Sequence, residues 1–292
     1  MNWVDWAFLC MFLTVIKTLL AKDLLRSFTS LQFIFLDIAC SLLFLLPVLL
    51  IQGVDFRFLT SEYLLALFVV MVPGLFAAYC LSKATQTGHI SEVAPLLLLI
   101  PVLSALVAPF ITGERVSTMG WFGISVVVGG GYLLKLEDWR QPLGPFVALY
   151  REPSSRWVCV TILISIVNVN VEKLLILKSS PLESMLIQWS MSLPFVLGLL
   201  RFARQWDSLT FGVKEKWPWL LVLGLVTMSS MASQYYAYSN GGHVAYVLCI
   251  KRVSVIFITG IAIYSMKEPF RFGKAFGVSV MLVGAFILYD DN

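Results

Sequence analysis

Seven charged residues within long apolar runs are the candidates: Lys17, Asp37, Glu92, Glu172, Lys173, Lys251 and Arg252. Charge is costly in hydrocarbon, so such groups are functional candidates by default. Lys251 and Arg252 are adjacent, with Ser254 one turn from Lys251. Two neighbouring cations suit a carboxylate or phosphate, and an arginine can hold it in a bidentate fork. The other reading is a buried pair with acids of neighbouring helices. Glu172 and Lys173 sit near Asn168 and Asn170. Successive helical residues diverge by about 100°, so only one of Glu172 and Lys173 faces any given neighbour. Lys17 and Asp37 fall at similar depth on consecutive runs, which reads as an ion pair, or as a coupling site in which Asp37 carries a proton. Glu92 is either a first-turn acid favoured by the helix dipole or a proton or cation site. Tyr235, with Tyr236 and Tyr238, can hydrogen-bond a substrate or belong to an interfacial aromatic belt. The substrate candidates are thus Lys251, Arg252, Ser254, Lys173 and Tyr235. The ion-pair or coupling candidates are Asp37, Lys17, Glu92 and Glu172.

These residues need helices to carry them. The chain has 292 residues, 59% hydrophobic and 13% charged, against about a quarter charged in a soluble domain. A bilayer-spanning helix needs about 20 apolar residues. Ten such runs occur, near 3–22, 30–51, 61–82, 89–112, 118–136, 156–177, 182–203, 217–239, 243–266 and 271–289. Eight of the nine tryptophans lie at or near run ends, where an amphipathic ring prefers to sit. Lys251 is about eight residues into the ninth run, about 12 Å deep and close to the midplane. Pro95 and Pro101 would kink the fourth span. The first run lacks the basic start and cleavage site of a signal peptide and is expected to stay as a helix. The fold class expected is an all-α membrane protein. Residues 1–137 and 156–292 form its two halves, and a polar connection over 138–155, with Pro142, Gly144 and Pro153, links them.

The halves are related. At an offset of 154 residues, Gly88-His89 meets Gly242-His243, Glu114 meets Glu268, and Gly130 meets Gly284. An offset of 156 brings Lys17 onto Lys173 and Gln32 onto Gln188. The loops after the even spans carry three basic residues (Arg57, Arg115 and Lys178), whereas the loops after the odd spans carry 14. The positive-inside rule then places both termini outside. Five spans is an odd number, so the second half enters from the opposite side. The expected architecture is ten transmembrane helices in two inverted five-helix repeats, an arrangement typical of secondary transporters. His89 and His243 read as interfacial or capping residues, Glu114 and Glu268 as caps ordering turns, and the glycines of the fifth and tenth spans as packing sites.

With those residues in view, the chain resembles the drug/metabolite transporter superfamily, in particular its EamA-type ten-helix members. The resemblance rests on Gly113-Glu114 and Lys267-Glu268, each closing a fourth helix, and on the glycine-spaced helices that follow, Gly120 to Gly130 and Gly273 to Gly284. It implies a transporter. EamA proteins often carry a proline in the ninth helix where this chain has Lys251-Arg252. That pair is similar to the Lys-Arg of the phosphate-translocator branch, which implies contact with substrate phosphate.

The expected function is secondary transport of a small polar, anionic metabolite by alternating access in an inner or plasma membrane. Two alternatives stay open: a cation or drug exporter using Glu92 or Glu172, and a flippase for lipid headgroups. Enzymatic work is not expected. The chain shows no Gly-rich phosphate loop and no nucleophile–base or metal-ligand constellation. Its five cysteines lie in apolar runs without CxxC spacing, which argues against a disulfide framework. The expected partners are a small-molecule substrate and the lipid bilayer. No cofactor, metal or nucleic acid is anticipated, and a monomer is favoured.

Overall fold

The computed structural model describes residues 1–87, 97–133, 153–206, 209–266 and 272–290. Glu92, His89, Pro95, Glu268 and most of the 138–155 connection lie outside the described residues. The first three helices are α1 (Trp3–Leu24), α2 (Ser30–Gln52) and α3 (Ser61–Thr87). Next come α4 (Leu99–Ile111) and α5 (Thr118–Leu133). The second half begins with α6 (Pro153–Lys178), α7 (Pro181–Phe202) and α8 (Leu209–Ser239). It continues with α9 (Val244–Arg252), α10 (Ser254–Met266) and α11 (Phe272–Asp290). No strand occurs among the described residues. The helix α8 starts at Leu209, before the 217 expected from hydropathy, because Lys214, Glu215 and Lys216 in its first turns mask the apolar signal. Among the described residues, five helices, α1, α2, α3, α6 and α7, are long and apolar enough to cross a membrane, and α4, α5 and the 276–289 part of α11 are shorter apolar helices.

Local chemistry fixes the helix starts. Thr29 caps α2, its side chain accepting from the Gln32 amide while Gln32 reaches back to the Thr29 amide. Ser180 and Glu183 form the same reciprocal box on α7, with Pro181 at its first turn. Each box satisfies backbone donors that have no partner inside the helix.

Side-chain contacts sort the turns to two ends. At one end, Gln86 of α3 donates to the carbonyls of Leu25 and Phe28, 3.1 and 2.8 Å. Thr29 donates to Gln205 after α7, 2.7 Å, and Lys216 of α8 reaches Asp23, 3.4 Å. At the other end, the Asp55 amide donates to Glu183 Oε1, 2.9 Å, and Tyr63 pairs with Ser184, 3.1 Å. Trp3 and Tyr246 meet there with ring centroids 6.3 Å apart. The first end is rich in Lys and Arg and is called the basic end below; the second is the far end.

The helices pair across the halves. α1 lies along α8, α3 along α6, α2 against α7, and α5 along α11. The α5–α11 contact needs glycine. A Cβ on Gly130 would stand 2.6 Å from the Met281 amide nitrogen, and one on Gly284 would stand 2.7 Å from that of Val127. Outward apolar side chains such as Leu50, Phe110 and Phe202 are almost fully exposed. Such an apolar exterior suits hydrocarbon, as the membrane-spanning reading requires.

Candidate functional site

A central cavity of about 430 Å³ opens among α1, α2, α3, α6, α7, α8 and α9. Its wall runs from Thr14, Glu172 and Lys251 toward the basic end, where Leu25, Ser82 and Thr85 line it. Among the described residues, five charged ones border it: Lys17, Asp37, Glu172, Lys251 and Arg252.

Each has a different environment. Lys17 Nζ is 3.3 Å from Asp37 Oδ2, and Thr227 of α8 donates to Asp37 Oδ1 at 2.6 Å. That carboxylate is held by a cation on one oxygen and a hydroxyl on the other. Lys251 Nζ donates to Gln234 Oε1, 2.5 Å, and Gln234 passes its amide to Tyr238 OH, 3.0 Å. Arg252 differs: its buried Nε has no hydrogen-bond partner, and no described carboxylate lies within ion-pair distance of it. Glu172 accepts one long hydrogen bond, 3.4 Å, from Gln188 of α7. Gln188 in turn accepts from Tyr235 OH, 3.0 Å.

The backbone changes beside this pair. The helix hydrogen-bond ladder is interrupted at Val253, where α9 ends and α10 begins. Val253 donates to Ile250 and Ile256 to Val253, both 3.0 Å, the short spacing of a tight 3₁₀-like turn. Lys251 and Arg252 therefore occupy the last turn of α9, the end where a helix dipole favours cations.

Other candidates sit elsewhere. Lys173 does not line the cavity. It is buried at the far end, ion-paired with Glu114 and donating to the Gly242 carbonyl at 2.6 Å. The second oxygen of Glu114 accepts from the Val244 amide, 3.1 Å, at the start of α9, and His243 Nδ1 is 3.9 Å away. One carboxylate thus joins α6, the α4–α5 turn and the α8–α9 turn. Glu172 and Lys173, adjacent in sequence, face the cavity and the far-end knot respectively. Asn168 and Asn170 are occupied in tying α6 to its neighbours, donating to Val70 O at 2.8 Å and Ser104 Oγ at 2.9 Å. Tyr235 is fully buried behind Gln188 rather than in the cavity wall. Ser254 is buried and does not line it either.

The structure adds cavity groups that the sequence reading passed over: Thr227, Gln188 and Trp189 in the wall, and Gln234 behind Lys251. Gln188 was visible only as the repeat partner of Gln32. Among the described residues, no group of His, Cys, Asp and Glu is placed to hold a metal ion.

The profile of the EamA-like transporter family matches residues 1–136 and again residues 154–290. The chain belongs to the EamA-like transporter family. It is accordingly a multi-pass membrane transporter of the drug/metabolite type. No curated protein matches this EamA chain. One solved crystal structure is similar over 96% of both chains, with 14% sequence identity and a TM-score of 0.65. At that identity the likeness speaks for the fold.

Proposed function

We propose that this EamA chain is a secondary transporter carrying a small polar anion by alternating access, with Arg252 and Lys251 as its anion site. The observation that carries the reading is Arg252, a guanidinium in the cavity wall whose Nε has no partner. A buried donor left unsatisfied costs free energy, and a carboxylate or phosphate would supply the missing acceptor and counter-charge together. The described cavity charges lean the same way, with three basic groups against two carboxylates among the described residues.

The architecture we infer is ten spans in two inverted five-helix repeats, with α9 and α10 forming one interrupted span. It is supported by the paired contacts of α1 with α8 and α6 with α3, by the sequence offsets, and by the double family match. Interrupted helices beside a midplane site recur in secondary transporters. The lining by Leu25, Ser82 and Thr85 supports access from the basic end. Closure at the far end is supported by the Lys173–Glu114 knot, which Gly242 and Val244 join.

The test is a thermal-stability screen of the purified protein against carboxylic and phosphorylated metabolites, repeated on Arg252→Ala. A charge-assisted hydrogen bond contributes about 1.5–3 kcal/mol, so the variant should bind a stabilising anion about tenfold to a hundredfold more weakly. Arg252→Lys keeps charge without the fork and should recover part of that loss. Wild-type anion affinity in folded Arg252→Ala would overturn the assignment. The competing reading, a cation or drug exporter using Glu172, is favoured by the one feature the anion reading leaves over, a cavity carboxylate without a paired cation. Stabilisation by organic cations and not by anions, abolished in Glu172→Gln, would select it.

A further inference from the structure

Among the described residues two carboxylates, Asp37 and Glu172, border the cavity, and they are held differently. Asp37 has a cation at 3.3 Å on one oxygen and a hydroxyl donor at 2.6 Å on the other. Both of its oxygens are thus engaged. Glu172 has a single neutral donor at 3.4 Å, and no described cation lies within ion-pair distance of it. Its adjacent lysine is turned away and already paired with Glu114. A carboxylate borders the same cavity as Asp37 with nothing comparable to fix its charge. The cost of removing an ion from water is only partly offset there, and a proton can neutralise it.

We propose that Glu172 is a proton-binding site of the transport cavity, taking a proton from cavity water and returning it there. The step is a plain protonation: a carboxylate oxygen gains the proton, a hydronium ion becomes water, and no other bond changes. It raises the cavity's excess positive charge by one. Under the anion reading on which its purpose rests, one substrate charge added at Lys251 and Arg252 can therefore be matched by the proton at Glu172. The groups that face it are Lys251 on α9, Tyr235 and Tyr238 on α8, and the Gln188 amide on α7. Lys17, Asp37 and Arg252 border the same cavity. Gln188 can answer either state by donating its amide to the carboxylate or, after rotation, accepting from the protonated acid.

The measurement needs no substrate. Infrared difference spectra of the purified protein, recorded while pH is stepped from alkaline to mildly acidic, report the carbonyl stretch of a protonated carboxyl group. The expected result is a reversible band in wild type that vanishes in Glu172→Gln and persists in the Lys17→Met/Asp37→Asn double variant. Glu172→Asp keeps a carboxyl and should restore a titrating band. That variant guards against loss of the signal through general disturbance of the fold. A band retained in folded Glu172→Gln, or one lost with Asp37 instead, would overturn the proposal. Its failure would leave the Arg252 assignment standing, because anion binding is read in a separate assay.

Discussion

Lys17 and Asp37 meet because a short turn joins α1 to α2 and places both residues at comparable distances from it. Removing one partner leaves the other charge in a poorly solvated wall, whereas removing both leaves none. Lys17→Met is expected to lower stability by about 1–3 kcal/mol, and Lys17→Met/Asp37→Leu to recover much of that loss. Thermal unfolding in detergent measures the cycle; a double variant as unstable as the sum of the singles would remove the interaction from the account. The geometry of this pair was legible in the sequence because depth along two consecutive helices is simple arithmetic. The partner of Lys173 was not. Glu114 lies 59 residues away, and its role in bridging α6 to the start of α9 depends on how the helices assemble. Gln188 and Gln234 escaped for another reason: neutral amides in apolar runs do not stand out as charges do, although burying them equally demands partners.

At the scale of helices, hydropathy placed most spans to within a few residues because a bilayer sets their length. It missed the start of α8, where charged first turns hide a continuing helix. It also missed the interruption at Val253, since neither proline nor glycine marks it. The glycines of α5 give a sharper test. Gly130 presses on the Met281 backbone, while nothing lies within 4 Å of where a Cβ would stand on Gly129. Backbone cannot step aside as a side-chain tip can. Gly130→Ala should therefore cost about 1–3 kcal/mol through overpacking of α5 on α11. Gly129→Ala, one residue along the same helix, should be neutral or slightly stabilising, since alanine favours helix over glycine by about 1 kcal/mol. Equal melting temperatures for the two variants would show that the close approach is not what sets the α5–α11 distance.

For the molecule as a whole, the distribution of basic residues predicts that the basic end faces the cytoplasm. In intact cells, an impermeant maleimide should reach Asn2→Cys and Gln52→Cys at the far end. It should reach Ser27→Cys at the basic end only after permeabilisation. The same chemistry tests the proposed closure of the far end. There, a nearly buried lysine and carboxylate, exposed 6% and 15%, hold three separate parts of the chain together. Lys173→Met leaves Glu114 with the Val244 amide and the distant His243 as described partners, and removes the Gly242 contact altogether. Loss of the Lys173–Glu114 bond alone is worth about 1.5–3 kcal/mol, which corresponds to a shift of about tenfold to a hundredfold between closed and open populations. A cavity cysteine at Ser192, in a background without the five native cysteines, should then react with far-side reagent that much faster than in the lysine-containing protein. Glu114→Gln should produce the same gain, and the double variant should add little, because one bridge cannot be broken twice. A merely structural bridge behaves otherwise: the single variants lose stability, the double recovers it, and Ser192→Cys stays shielded from the far side in all of them.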